Sequence, residues 1–154
     1  MHARFGYVRI VVGDLARSLG FYTSVLGLVE KHRIEFTGPD VAEVVLADAD
    51  GRECLVLASG PAMPVHSGSP AWAPIVVTVD DAVAAADEIR AAGHELAIDP
   101  PLSIEGVSAL TMAVDPDGYL VEIISAAQPI DVSAVGAAGP MPHPAPHIHE
   151  RLLG

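Results

Sequence analysis

One sentence is written twice in this chain. Ala113–Ser125 reads AVDPDGYLVEIIS: the end of one strand, an Asp-Pro-Asp-Gly turn, and a second strand with one acid, Glu122, among apolar neighbours. Leu46–Ser59, LADADGRECLVLAS, repeats that order in a weaker form. Matching the turns pairs Asp48 with Asp115, an offset of 67 (115 − 48). The same offset lays YVRIVVGDL at Tyr7–Leu15 on PIVVTVDDA at Pro74–Ala82, and Asp14 meets Asp81 where each strand gives way to a helix. A register held across two strands and a helix start predicts two copies of one structural unit, and repetition constrains a fold more than any local propensity does.

Periodicity fills in the unit. Tyr7–Val12 predicts a strand, with Val8, Ile10 and Val12 on one face and Tyr7, Arg9 and Val11 on the other. Asp14 caps a helix whose apolar residues Leu15, Leu19, Tyr22 and Leu26 recur at helical spacing, and Gly27 stops it. Strands follow at Leu28–Phe36, Val41–Asp48 and Glu53–Ser59, the last two joined by the Asp50-Gly51 hairpin signal. The second copy gives a strand at Pro74–Val79, a helix from Asp81 to Ala92 stopped by Gly93, and strands at Glu95–Ile98, Val107–Val114 and Tyr119–Ser125. The expected organisation is a first β-α-β-β-β unit over 1–58, a Pro/Gly/Ser-rich connector over 59–73, a second unit over 74–125, and an extended tail over 126–154. An α+β fold of two such units related by a pseudo-twofold is the expectation.

Composition limits the partners. With 51% hydrophobic residues over 154 positions, the chain can bury a core. Its formal charge of −12, from 20 acids against 8 bases, repels nucleic acid and anionic membrane and favours cationic or neutral small ligands. The single cysteine, Cys54, allows no intrachain disulfide and reads as a small buried hydrophobe facing away from Leu55, toward the helix layer. The N-terminus does not read as a signal peptide, and no apolar run approaches the roughly 20 residues of a membrane span. A cytoplasmic protein is expected.

The two units, the string GDLARSLGFYTSVLGL at Gly13–Leu28 with its F-Y-x-x-x-L-G pattern, and DPDGYLVEI at Asp115–Ile123 together resemble the vicinal oxygen chelate superfamily, the glyoxalase, bleomycin-resistance and extradiol dioxygenase group. The resemblance covers about Gly6 to Ser125. It implies a curled eight-stranded sheet forming a cup, helices outside, and a divalent metal on the floor held by the first and last strands of each unit. Carried over by the offset, those positions are Tyr7 and Leu55, Pro74 and Glu122, with Leu57 replacing Leu55 if the strand slips by two. A divalent transition metal needs three or four nitrogen, oxygen or sulfur donors, and these positions offer one carboxylate and one phenol. No metal and no cofactor is therefore expected there.

Tyr7, Arg9, Leu55, Leu57, Pro74 and Glu122 are the expected ligand-binding residues, with Glu122 the catalytic group if the chain is an enzyme. A carboxylate in an apolar strand loses hydration, which raises its pKa unless a cation compensates. Family topology offers Arg9 as that cation, so the bland reading is a structural Glu122–Arg9 pair. The Asp-x-Asp-Gly turns are read as turns rather than calcium loops, since Ser59 and Ala126 stand where each loop needs a glutamate. His143, His147 and His149 cluster in the tail and could bind a metal if something brought them together, but Pro144 and Pro146 hold the segment extended, and the favoured reading is a packing or solvated tail. Three functions are open at this point. The first is a metal-free protein sequestering a small organic molecule, cationic or aromatic. The second is an isomerase, cyclase or lyase using Glu122 as acid or base; the third is a metal-dependent lyase or dioxygenase. A homodimer is expected, closing the sheet edges that such units leave open.

Overall fold

Each copy of the repeated unit opens with a strand that hands over to a helix at an aspartate. The computed structural model describes residues 6–37, 40–61, 63, 65, 75–104 and 107–125. Strand β1 (Val8–Val11) leads to α1 (Leu15–Gly20), and β5 (Ile75–Val79) leads to α2 (Ala82–Ala91). Asp14 Oδ1 accepts from the Arg17 amide at 3.0 Å, and Asp81 Oδ1 accepts from the Val83 and Ala84 amides at 2.9 and 3.1 Å. These bonds satisfy amides that the first helical turn leaves without a partner.

After Gly20 the first helix widens into a π-helical turn, Phe21–Val25, closed by the Leu26 amide donating to the Phe21 carbonyl at 3.2 Å. The fully buried side chains of this segment are Ser18, Phe21 and Tyr22. Of the stripe expected from sequence, Tyr22 alone belongs to that set; Leu15, Leu19 and Leu26 are half-buried. Gly27 (φ 73°) and Gly93 (φ 82°) end the two helical segments in the left-handed region, with nothing within 4 Å of an added Cβ. Alanine at either position should therefore cost backbone strain only, about 1 kcal/mol. The expected fall in melting temperature is about 2–4 °C, and an unchanged melt for both variants would contradict the cap geometry.

The remaining strands are β2 (Val29–Phe36), β3 (Val41–Ala47), β4 (Glu53–Ser59), β6 (Leu96–Ile104), β7 (Val107–Val114) and β8 (Leu120–Ser125). They form two four-stranded mixed sheets, ordered β1-β4-β3-β2 and β5-β8-β7-β6, so hydrogen bonding runs within each unit. The first strand of each unit pairs with the last in parallel, which requires the helical crossover between them; the other pairs are antiparallel. The chain divides into two compact units, Met1–Ser67 and Gly68–Gly154, and each is described by itself.

Two details differ from the sequence expectation. Strand β6 runs to Ile104, well past Ile98, through Pro100 and Pro101, and its pairing with β7 shifts between Leu96 and Ile98 and again before Leu102. Proline lacks the amide a ladder needs, so it survives here because β6 is an edge strand. The second difference is a bulge. Ala47 pairs with Glu53 while Leu46 pairs with Leu55, so Cys54 is an extra residue; Val114–Leu120 and Ala113–Val121 follow each other with no such gap. The offset between units is 67 before the bulge (120 − 53) and 66 after it (121 − 55).

In the hairpin turns, Asp48 Oδ1 accepts from the amides of Asp50 and Arg52, and Asp115 Oδ1 from those of Asp117 and Tyr119, at 2.7–3.0 Å. Gly51 and Gly118 supply the positive φ, 81° and 89°. These carboxylates are engaged in shaping their own turns. Among the described residues no helix is long and apolar enough to cross a membrane.

Candidate functional site

Glu122 sits at the middle of β8, between Val76 of β5 and Met112 of β7 in the pairing register. The Ala82 amide at the start of α2 donates to Ser125 Oγ at 2.7 Å, which places α2 over the Val121, Ile123 and Ser125 face of the strand. Glu122 alternates onto the other face, with Leu120 and Ile124. That face is apolar: Ile98, Met112 and Leu120 form a buried cluster, with Leu102, Leu110 and Val114 packed against it.

The Glu122 carboxyl is half-buried, and burial pushes its pKa above the ordinary glutamate range. Loss of hydration drives the shift, and among the described residues no cation or donor offsets it. The cation that sequence reasoning gave it is engaged elsewhere. Arg9 Nη2 stands 3.3 Å from Glu43 Oε1, so the partner of Arg9 is Glu43.

The bulge corrects the carry-over of the site positions. Glu122 pairs with Val76, and the matching row of the first unit pairs Val56 with Arg9. The counterpart of Glu122 is therefore Val56, and Leu55 holds the place of Val121, on the helix-side row. Leu57 falls on that same row and is fully buried. Tyr7 lies just before β1 and is 48% exposed; Pro74 lies outside the described residues, as do His143, His147 and His149.

The donor set can be tested against a metal. Among the described residues no group of three or more His, Cys, Asp or Glu side chains could hold one. Valine in place of leucine leaves the donor chemistry unchanged, and proline carries no side-chain donor, so the four positions still provide one carboxylate and one phenol. Cys54, at the bulge, is half-buried with Sγ 3.7 Å from the Leu46 carbonyl, and burial pushes its thiol pKa up, away from the thiolate a metal requires. Among the described residues, the donors do not fit a transition-metal centre.

Glu43 is the residue that sequence reasoning passed over. Its signal was available: VAEVVLA, Val41–Ala47, is an apolar strand broken by one acid, as is LVEIIS at Leu120–Ser125. Glu43 is 8% exposed in the fold.

Residues 4–123 match the family described as Glyoxalase/Bleomycin resistance protein/Dioxygenase superfamily. A protein of Vibrio cholerae named probable lactoylglutathione lyase is 30% identical over 123 residues, 79% of this chain and 89% of that one. Among solved structures, the trypanothione-dependent glyoxalase I of Leishmania major aligns with a TM-score of 0.68 at 22% identity, covering 89% of this chain and 93% of that chain. A glyoxalase family protein of Bacillus cereus aligns with a TM-score of 0.69 at 19% identity, covering 81% and 95%. At these identities the two structures speak to the fold alone.

Proposed function

The chain belongs to the glyoxalase, bleomycin-resistance and dioxygenase superfamily, and from that premise we propose that it binds a small organic molecule without a resident metal. The observation that carries the reading is Glu122: one desolvated carboxylate on a sheet face otherwise lined by Met112, Leu120 and Ile124. Those three neighbours are buried, so the half-exposed carboxylate is what the strand offers a ligand, and it supplies orientation through one contact. A cationic or donor group on an aromatic or apolar body suits it. Ionised, Glu122 attracts that group; a carboxylate with no cation beside it among the described residues gains most from a ligand that brings one.

The relatives named lactoylglutathione lyase support a second reading, an enzyme on the same scaffold. A pKa raised by burial suits a general acid or base, so Glu122 would move a proton at a bound substrate beside an apolar strand. No step of either reading passes through a metal.

Metal content and the relatives' reaction test the proposal together. Protein made without a histidine tag is expected to carry far less than one divalent ion per chain. It is also expected to form no lactoylglutathione when nickel, zinc or iron is supplied. Stoichiometric metal that survives deletion of residues 140–154, or metal-stimulated lactoylglutathione formation, would overturn the metal-free reading.

A further inference from the structure

The first unit contains a buried acid that its own fold does not call for. The Glu43 side chain is 10% exposed, whereas that of Arg9, its partner at 3.3 Å, is 46% exposed. The second unit serves as an internal control. Pairing register puts Val76 in the place of Arg9 (Val76 beside Glu122, Arg9 beside Val56). It puts Leu110 in the place of Glu43 (Leu110 beside Ile124, Glu43 beside Ala58). The second unit therefore carries two apolar side chains, exposed Val76 and partly buried Leu110, where the first unit carries an ion pair.

Stability gives little reason to keep that pair. Desolvating two charges costs about what their attraction returns, and apolar replacements of similar volume are often neutral or stabilising. What Glu43 does supply is orientation. An arginine has five N–H donors in a planar fork, and the pair with Glu43 engages one terminal nitrogen while nearly half of the side chain stays open. We infer that Arg9 is an oxyanion-recognition residue, positioned by Glu43, for a ligand carrying a carboxylate or a similar planar anion. The fork meets two carboxylate oxygens with parallel hydrogen bonds, which an ammonium cannot do. Local neutralisation by Glu43 favours selection by geometry over general attraction of anions, in a chain whose net charge of −12 repels them. This site lies in the first unit and does not rest on the role given to Glu122.

Benzoate and its uncharged analogue benzamide are suitable probes, titrated calorimetrically into the full chain. The parent is expected to prefer benzoate by at least about tenfold. The Arg9→Val/Glu43→Leu double variant carries the residues that the second unit uses at these places. It should melt no lower than the parent and lose the preference. Arg9→Lys keeps the charge but not the fork and should lose most of it. No benzoate preference in the parent overturns the inference, as does a preference that survives in the double variant. If the double variant does not fold, Arg9→Lys decides, and an unchanged preference there overturns it. The benzoate preference is read apart from the benzylamine affinity that tests Glu122, so failure here and failure of the Glu122 reading are seen separately.

Discussion

Glu122→Gln is expected to weaken binding of an aromatic cation such as benzylamine by roughly 1.5–3 kcal/mol at neutral pH, the scale of a hydrogen bond to a charged group. That is a factor of about 10–150 in dissociation constant. Gln keeps the shape and loses the charge, so the apolar part of the affinity should remain. In the parent, affinity for the cation should fall as pH drops through the raised pKa of Glu122, and in the variant that dependence should be gone. If the chain is instead a catalyst, binding persists and turnover falls by about 10²–10⁴, because an amide cannot exchange the proton.

The same variant has a stability signature with a definite sign. The folded pKa of Glu122 lies above its unfolded value, so between the two the native state holds more protons than the unfolded state does. The contribution of this group to stability is thus greatest below the ordinary glutamate pKa and is lost as pH rises through the folded one. Gln carries no charge at any pH and removes the penalty. Parent and variant should melt together in acid, and the variant should melt higher once Glu122 is ionised. A variant that melts lower at neutral pH would mean that the carboxylate has a stabilising partner, and the site as drawn would be wrong.

The repeat was legible because its punctuation is chemical. An aspartate that caps a helix and an aspartate that folds a hairpin turn use the same short side chain in fixed geometry, so Asp14, Asp81, Asp48 and Asp115 mark the same corners of both units. Strands β4 and β7 also match their expected limits, Glu53–Ser59 and Val107–Val114. The bulge at Cys54 carries no such mark. A bulge is a choice between two pairings of the same residues, made by packing on both faces, and alternation alone reads straight through it. That one residue moved the counterpart of Glu122 from Leu55 to Val56. Topology offers Arg9 to Glu122, whereas the structure gives Arg9 an acid of its own sheet, Glu43, at 3.3 Å. The expected end of β6 at Ile98 falls short of Ile104: Pro100 and Pro101 fit a strand only at a sheet edge, and edge status belongs to the sheet rather than to the segment.

Phe21→Ala should be the most destabilising of the substitutions considered, at about 3–5 kcal/mol, while Leu19→Ala and Leu26→Ala should each cost only about 1 kcal/mol. The difference follows from the helix. A regular helix burying Leu15, Leu19, Tyr22 and Leu26 would make the leucines the core side chains. The observed segment instead buries Ser18, Phe21 and Tyr22, spaced three and four apart, and then widens into the π-helical turn. Phe21 and Tyr22 are 1% and 0% exposed and meet edge to face, with centroids 5.2 Å apart and planes at 90°. Removing Phe21 deletes its own burial, leaves a cavity, and takes from Tyr22 a contact worth about 0.5–1.5 kcal/mol. The melting temperature should drop by on the order of 10 °C, against a few degrees for either leucine. The measurement is chemical denaturation of the three variants side by side. Leucine variants that cost as much as Phe21→Ala would restore the regular stripe and remove the wide turn from this helix.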